Sequence, residues 1–262
     1  MRLIREPLGT RRQIVLGVLG VVGVAAVMEL LTGTVLTKEG LPVPSRIFGS
    51  IGDLLVDTAF REAVLFTLAE WMLGLAVASV VGVLVGAAMG ASRAAMITFG
   101  LPVEAFRVLP SIALGPILVL LLGNGMLPLA LTVSLACVWP ILLNTMYGVK
   151  GADTTAIQTA ESFGLSRREV VRRVILPSAL PFAFTGVRIA ASIGLIVAVS
   201  AELLVGGGVG IGGYVLVNSA NATNLDIVYA ATLVAGVLGV LVSLAMSAID
   251  AKVFNWKKGL AQ

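Results

Sequence analysis

Six apolar stretches dominate this chain, and almost every charged residue falls between them: residues 14–36, 63–91, 105–122, 126–149, 179–205 and 227–251. The hydrocarbon core of a bilayer is about 30 Å thick and a helix rises about 1.5 Å per residue, so a crossing takes ~20 apolar residues. Each stretch is close to that length, and a backbone inside hydrocarbon must pair its own polar groups, which a helix does within one segment. Only 12% of the 262 residues are charged and 58% are hydrophobic, against about 25% charged in soluble domains. That is too little charge to cover a water-facing surface. The expected fold class is therefore an all-α integral membrane protein with six transmembrane helices.

Between these stretches the sequence reads as connectors. Arg11 and Arg12 precede the first run, which exceeds the usual apolar length of a signal peptide and is followed by no small-residue cleavage site, so it reads as a retained helix. Ile47, Ile51, Leu54 and Leu55 recur at helical spacing within the polar residues 37–61 and predict a short amphipathic helix at the interface. Gly123, Asn124 and Gly125 predict a turn, and a Gly-rich loop is expected from the end of the fifth span to about Asp226.

The formal net charge of +4 is unevenly distributed. With both termini on one side, that side receives thirteen Lys and Arg (2, 5, 11, 12, 93, 150, 167, 168, 172, 173, 252, 257, 258), and the other receives only Lys38, Arg46 and Arg61. Arg107 and Arg188 lie within or beside spans. Basic residues accumulate on the cytoplasmic side, so both termini are expected there. The chain then divides into a cytoplasmic segment 1–13, a membrane domain 14–251 and a cytoplasmic tail 252–262. Membrane orientation accounts for the basic clusters, and no nucleic-acid partner is expected.

Several chemistries are excluded. With no histidine and a single cysteine, Cys137, the chain offers no intrachain disulfide, no His-based triad and no zinc site. Gly206, Gly207, Gly208, Gly210, Gly212 and Gly213 lack the Lys-Ser/Thr ending of a phosphate-binding loop and follow no strand, so they read as a flexible turn. No catalytic residue, metal or cofactor is expected. Gly74, Ala78, Gly82, Gly86 and Gly90, and likewise Gly186, Ala190, Gly194 and Ala198, put a small residue at every fourth position. That spacing allows close helix packing in a bundle.

Residues 151–177 form the longest polar segment. Asp153 or Thr154 can cap a first short helix ending at Phe163, and Gly164 can supply a left-handed closing turn. Ser166 and Glu169 have capping-box spacing and start a second helix with an apolar face of Val170, Val171, Val174 and Ile175. Pro177 is expected to break that helix before the fifth span.

This segment resembles the cytoplasmic signature of binding-protein-dependent ABC importer permeases: Glu-Ala-Ala, three residues, Gly, nine residues, Ile-x-Leu-Pro. Here nine residues separate Gly164 from Val174, and Leu176 with Pro177 closes the motif, while Gln158, Thr159 and Ala160 replace the opening triplet. Pro42 with Pro44 and Ser45, Thr67 to Gly74, Arg107 with Pro110 and Pro116, Pro140 with Asn144, and Gly186 with Arg188 to Ala201 and Glu202 are similar to the subfamily importing sulfonates, taurine, nitrate, bicarbonate or thiamine-precursor pyrimidines. Glu70 departs from it, because that subfamily commonly has arginine there.

The resemblance implies a type I ABC importer permease with a cytoplasmic coupling helix in a bacterial inner membrane. Ala160, Glu161, Ser162, Gly164, Leu165 and Ser166 would form the coupling helix and its exit turn. The implied partners are two copies of an ABC ATPase subunit, an extracytoplasmic substrate-binding protein and a second permease copy in a homodimer. The cargo would be a small organic or inorganic anion. Ionisable and polar groups in the membrane make Arg188, Ser200 and Glu202 candidates for the translocation path, with a structural role preferred for Arg188. The alternative is a secondary transporter driven by an ion gradient. It would favour mid-membrane carboxylates, whereas the carboxylates here read as lying near span ends.

Overall fold

A computed structural model describes residues 10–34, 43–205, 207–220 and 225–254. Arg2, Arg5, Lys38, Pro42, Gly206, Lys257 and Lys258 lie outside them, as do most of the two expected terminal segments. All regular structure in the described residues is helical: α1 Thr10–Thr34, α2 Pro44–Val56, α3 Thr58–Ala91, α4 Arg93–Phe106, α5 Ser111–Leu122, α6 Met126–Lys150, α7 Thr154–Ser162, α8 Arg167–Val170, α9 Leu176–Val205, α10 Gly210–Ala220 and α11 Leu225–Val253. A π turn, Val171–Ile175, joins α8 to α9. Among the described residues, five helices are long and apolar enough to cross a membrane, and α4 with α5 makes a sixth if the bent pair counts as one.

That pair departs from the straight third span expected at residues 105–122. The helices α4 and α5 meet at 93°, and α5 has 12 residues, about 18 Å of helix, too short to cross alone. The break falls at Leu109 and Pro110, because proline disfavours helical backbone in the residue before it.

The core is built on α3, α6 and α9. A Cβ added to Gly74 would come within 2.7 Å of Val133 Cβ, to Gly82 within 2.9 Å of Ile141, and to Gly90 within 2.6 Å of Val149. The small-residue stripe of α3 therefore lies directly on α6. Gly186 and Gly194 of α9 press against Ile141 and Cys137 in the same way, at 2.8 and 2.7 Å. Close backbone approach gains dispersion contacts where no hydrophobic effect holds helices together. The opposite face of α3 exposes Leu65, Met72, Val80 and Leu84 at 61–67%, as expected of a surface solvated by lipid.

A second cluster joins α2, α3, α10 and α11 through Leu54, Phe60, Ile211, Ala230 and Ala231. Here α2 is the predicted amphipathic helix, and its Ser45 amide and hydroxyl donate to Glu29 of α1 at 3.0 and 2.7 Å. Tyr214 of α10 stacks edge-on against Phe60, with ring centroids 5.2 Å apart.

The glycine-rich stretch after α9 is not the loop that its composition predicts. Residues 210–220 form α10, which buries Gly210, Ile211, Gly212 and Gly213, with Gly210 and Gly212 pressed onto α9. Glycine is a poor helix former by itself. In this place the lack of a Cβ decides the outcome, since one on Gly212 would strike Val199 O and lie 2.8 Å from Glu202 Cβ. Tertiary packing overrides intrinsic propensity.

Candidate functional site

At the end of the bundle where α9 begins, residues 151–177 project as a compact turn. Asp153 caps α7 by accepting from the Thr155 amide at 2.8 Å. The helix ends in a Schellman closure: the Leu165 amide donates to Ala160 O at 3.2 Å and the Gly164 amide to Glu161 O at 2.9 Å. Gly164 has φ 77°, a left-handed conformation that costs other residues about 1–2 kcal/mol. Both halves of the capping box at the start of α8 are present, and Glu169 accepts from the Ser166 amide and hydroxyl at 3.0 and 2.9 Å. Arg173 pairs with Glu169 one turn on, at 3.4 Å.

Pro177 does not break the chain here. The Leu176 amide reaches back to Val171 O, five residues away, and α9 continues without interruption through Pro177 and Pro181. A π turn widens the helix and accommodates a proline ring that would clash with the carbonyl four residues earlier. The short helix after Gly164 is thus continuous with the fifth span.

Among the predicted site residues, Ala160, Glu161 and Ser162 form the last turn of α7, and Gly164, Leu165 and Ser166 form its exit. Glu161, Ser162, Gly164 and Ser166 are exposed, and α7 contributes no buried residue. Phe163 stands at the tip with 81% of its surface exposed. Sequence reading treated it only as a helix end. Its position before a closing glycine, at the limit of the apolar pattern, is the signal that marks it.

Arg188, Ser200 and Glu202 lie on α9 but are not brought together. The Arg188 guanidinium sits 3.7 Å from Asp250 of α11, an ion pair that ties two spans. Ser200 lines a cavity of about 530 Å³ between α9 and α11, shared with Ser192 and Ser243. Glu202, a candidate for the translocation path, is 1% exposed. It accepts from Thr67 Oγ1 at 2.6 Å and from the Gly212 amide at 2.8 Å. Asn144, quoted above with Pro140, donates to Pro140 O of its own helix at 2.8 Å.

At the far end of α9, a cavity of about 580 Å³ is lined by Asp57, Glu62, Phe66, Tyr214 and Asn218 among others. Tyr214 donates its hydroxyl to Asp57 at 2.7 Å. Burial, helped by this bond and by the charge of Asp57, pushes the phenol up to about 12.

Comparison with known proteins bears on the whole chain. Residues 78–255 match the family described as binding-protein-dependent transport system inner membrane component. The taurine transport system permease protein TauC of Escherichia coli is 29% identical over 245 residues, covering 90% of this chain and 88% of its own. The nitrate import permease protein NrtB of Synechocystis sp. is 24% identical over 227 residues and covers 82% of each chain. Among solved structures, the inward-facing MetNI methionine ABC transporter superposes with a TM-score of 0.64 at 20% identity, over 74% of this chain and 96% of that one. The fold is that of a type I importer permease, and the chain belongs to the family of binding-protein-dependent transport system inner membrane components, the permease subunits of ABC importers.

Proposed function

We propose that the turn formed by Ala160, Glu161, Ser162, Gly164, Leu165 and Ser166 is the surface on which the ATPase subunit docks, with Phe163 as its apolar anchor. One observation carries this reading. The exposed end of α7 is closed onto α8 by a short capped turn, and α8 runs through the π turn into α9, so a push on the tip would bear on a span. A buried aromatic at the centre of a polar contact is the usual form of a binding hot spot. Two permease copies would pair with two ATPase subunits, and rocking of α9 would open the path alternately to each side.

The charge count favours both termini, residues 1–13 and 252–262, on the ATPase side of the membrane, with the membrane domain at 14–251. The opposite face would receive an extracytoplasmic substrate-binding protein. The cargo reading rests on relatives: TauC is named for taurine, a zwitterion that carries a sulfonate, and NrtB for nitrate, and both names denote small molecules with an oxyanion group. A small organic or inorganic anion is therefore the expected cargo. With Arg188 paired to Asp250, cargo selection rests on the binding protein and on uncharged groups of the path, such as Ser200, more than on a membrane cation.

Purification of the tagged chain from its native membrane tests the docking. An ATPase subunit should co-purify, and it should be lost when Glu161, Phe163 and Leu165 are all replaced by lysine. Retention of the ATPase by that variant would contradict the assignment.

A further inference from the structure

Glu70 of α3 lies beside Glu202 of α9 in the interior, one turn from Thr67. Their exposures are 0% and 1%. The two carboxyls are served very differently. Glu202 accepts hydrogen bonds from Thr67 Oγ1 and from the Gly212 amide, whereas neither oxygen of Glu70 is met by a donor.

Among the described residues, no cation faces the pair. On α3 itself, Arg61 and Glu62 are exposed, as are Arg46 and Asp53 of α2 and Arg93, Glu104 and Arg107 beside or on α4. Among the described residues α5 carries no charge, and the charged residue of α6 is Lys150 at its exposed end, with Tyr147 also exposed. Cys137 of α6 donates to Ala190 O at 3.2 Å. Arg188 of α9 is taken by Asp250, and Tyr214 of α10 by Asp57. On α11, which packs against α9 and α10, Tyr229 and Lys252 are exposed and Asp226 is half-buried.

Two bare carboxylates in contact, away from water and without a cation, would repel each other at low dielectric. Such a pair carries one negative charge with a proton between its members. The donors decide which member is the anion. Glu202 accepts two hydrogen bonds at the N-terminal end of α10, where aligned amides favour negative charge. Glu70, with no donor, is the acid whose O–H points to Glu202.

We propose that Glu70 and Glu202 form a buried proton-binding site. The proton joins α3 to α9 and keeps Glu202 in place to hold the first amides of α10. Space favours a proton over a metal ion, because Gly210 and Gly212 press their backbones onto Glu202: a Cβ on Gly210 would overlap its carboxyl group. Loss of the proton would leave two like charges in contact, and the α10 junction is where the strain would appear. The inference does not rest on the ATPase-docking assignment.

Infrared spectroscopy of the full chain in lipid vesicles tests it. The wild type should show one buried carboxylic acid C=O stretch that persists unchanged across neutral pH and shifts in D₂O. Glu70→Gln should lose that band while keeping helix content and melting temperature, since an amide can donate as the acid does. Glu70→Arg, which supplies a fixed cation to Glu202, should lose it as well. A wild-type spectrum without a buried acid overturns the proposal, whatever the variants do. So does a band that survives Glu70→Gln, or one that sodium titrates away at constant pH, which would indicate a metal-cation site.

Discussion

The Thr67 hydroxyl donates to Glu202 at 2.6 Å and accepts from the Ile211 amide at 2.9 Å, so one side chain on α3 links the end of α9 to the beginning of α10. These contacts span 135 and 144 residues of sequence. Thr67→Val keeps the shape but leaves a buried amide without an acceptor and removes a donor from a carboxylate. A loss of about 1–3 kcal/mol is expected. Thermal unfolding in detergent should show a lower melting temperature for Thr67→Val and a nearly unchanged one for Thr67→Ser. Equal melting for both variants would mean that the contact does not support the junction.

Glycines of α3 and α1 should respond oppositely to enlargement. A Cβ on Gly86 would overlap Leu142 O of the facing helix, whereas one on Gly23 meets nothing within 4 Å. Gly86→Leu should destabilise by at least the ~1–3 kcal/mol of an overpacked core. Gly23→Leu should fold as the wild type does. Size-exclusion profiles and melting curves of both variants provide the check.

Ionisation of Tyr214 provides a pH test. Its phenol ionises near 12 rather than 10, so the folded state holds this proton more tightly than the unfolded chain. The resulting stabilisation is complete below pH 10 and declines as pH rises from 10 to 12. Ultraviolet titration of tyrosinate should show one of the 3 tyrosines ionising last, and Tyr214→Phe should remove that step. A titration in which Tyr214→Phe leaves the last step intact would reject the Asp57 contact.

Backbone conformation at Gly164 separates docking from folding. Valine is disfavoured at φ 77°, while asparagine tolerates it. Gly164→Val should insert with the bundle intact and lose no more than about 1–2 kcal/mol to the strained turn, because α7 buries no residue in the bundle, yet it should lose most uptake. Gly164→Asn should retain uptake. Vesicle transport assays comparing the two read this directly, and normal uptake by Gly164→Val would remove the turn from the mechanism.

Local capping rules carried the sequence reading, and apart from the π turn at Pro177 its errors came from partners distant in the chain. Capping at Asp153, closure at Gly164 and the Ser166–Glu169 box each depend on neighbours within four residues, so they were legible. The stripe from Gly74 to Gly90 announced close packing but not the partner, which only the fold shows to be α6. Pro177 and residues 210–220 were misread because their local preferences point to a break and a loop, while a π turn and glycine-on-glutamate packing reverse them. The approach of Glu70 to Glu202 could not be seen at all. The residues are far apart in the chain, and each alone resembles an ordinary carboxylate near a span end.

Site-specific cross-linking from Phe163 tests the central claim, that the α7 turn is where the permease meets its ATPase. The chain has 1 cysteine, Cys137, which is buried at 0% exposure, so Phe163→Cys introduces a single accessible thiol. A short thiol-reactive photo-cross-linker placed there in native vesicles should join the chain to the ATPase subunit, with a yield that changes on addition of ATP. An ATPase subunit that co-purifies with the chain yet never cross-links to position 163, in either nucleotide state, would contradict the account.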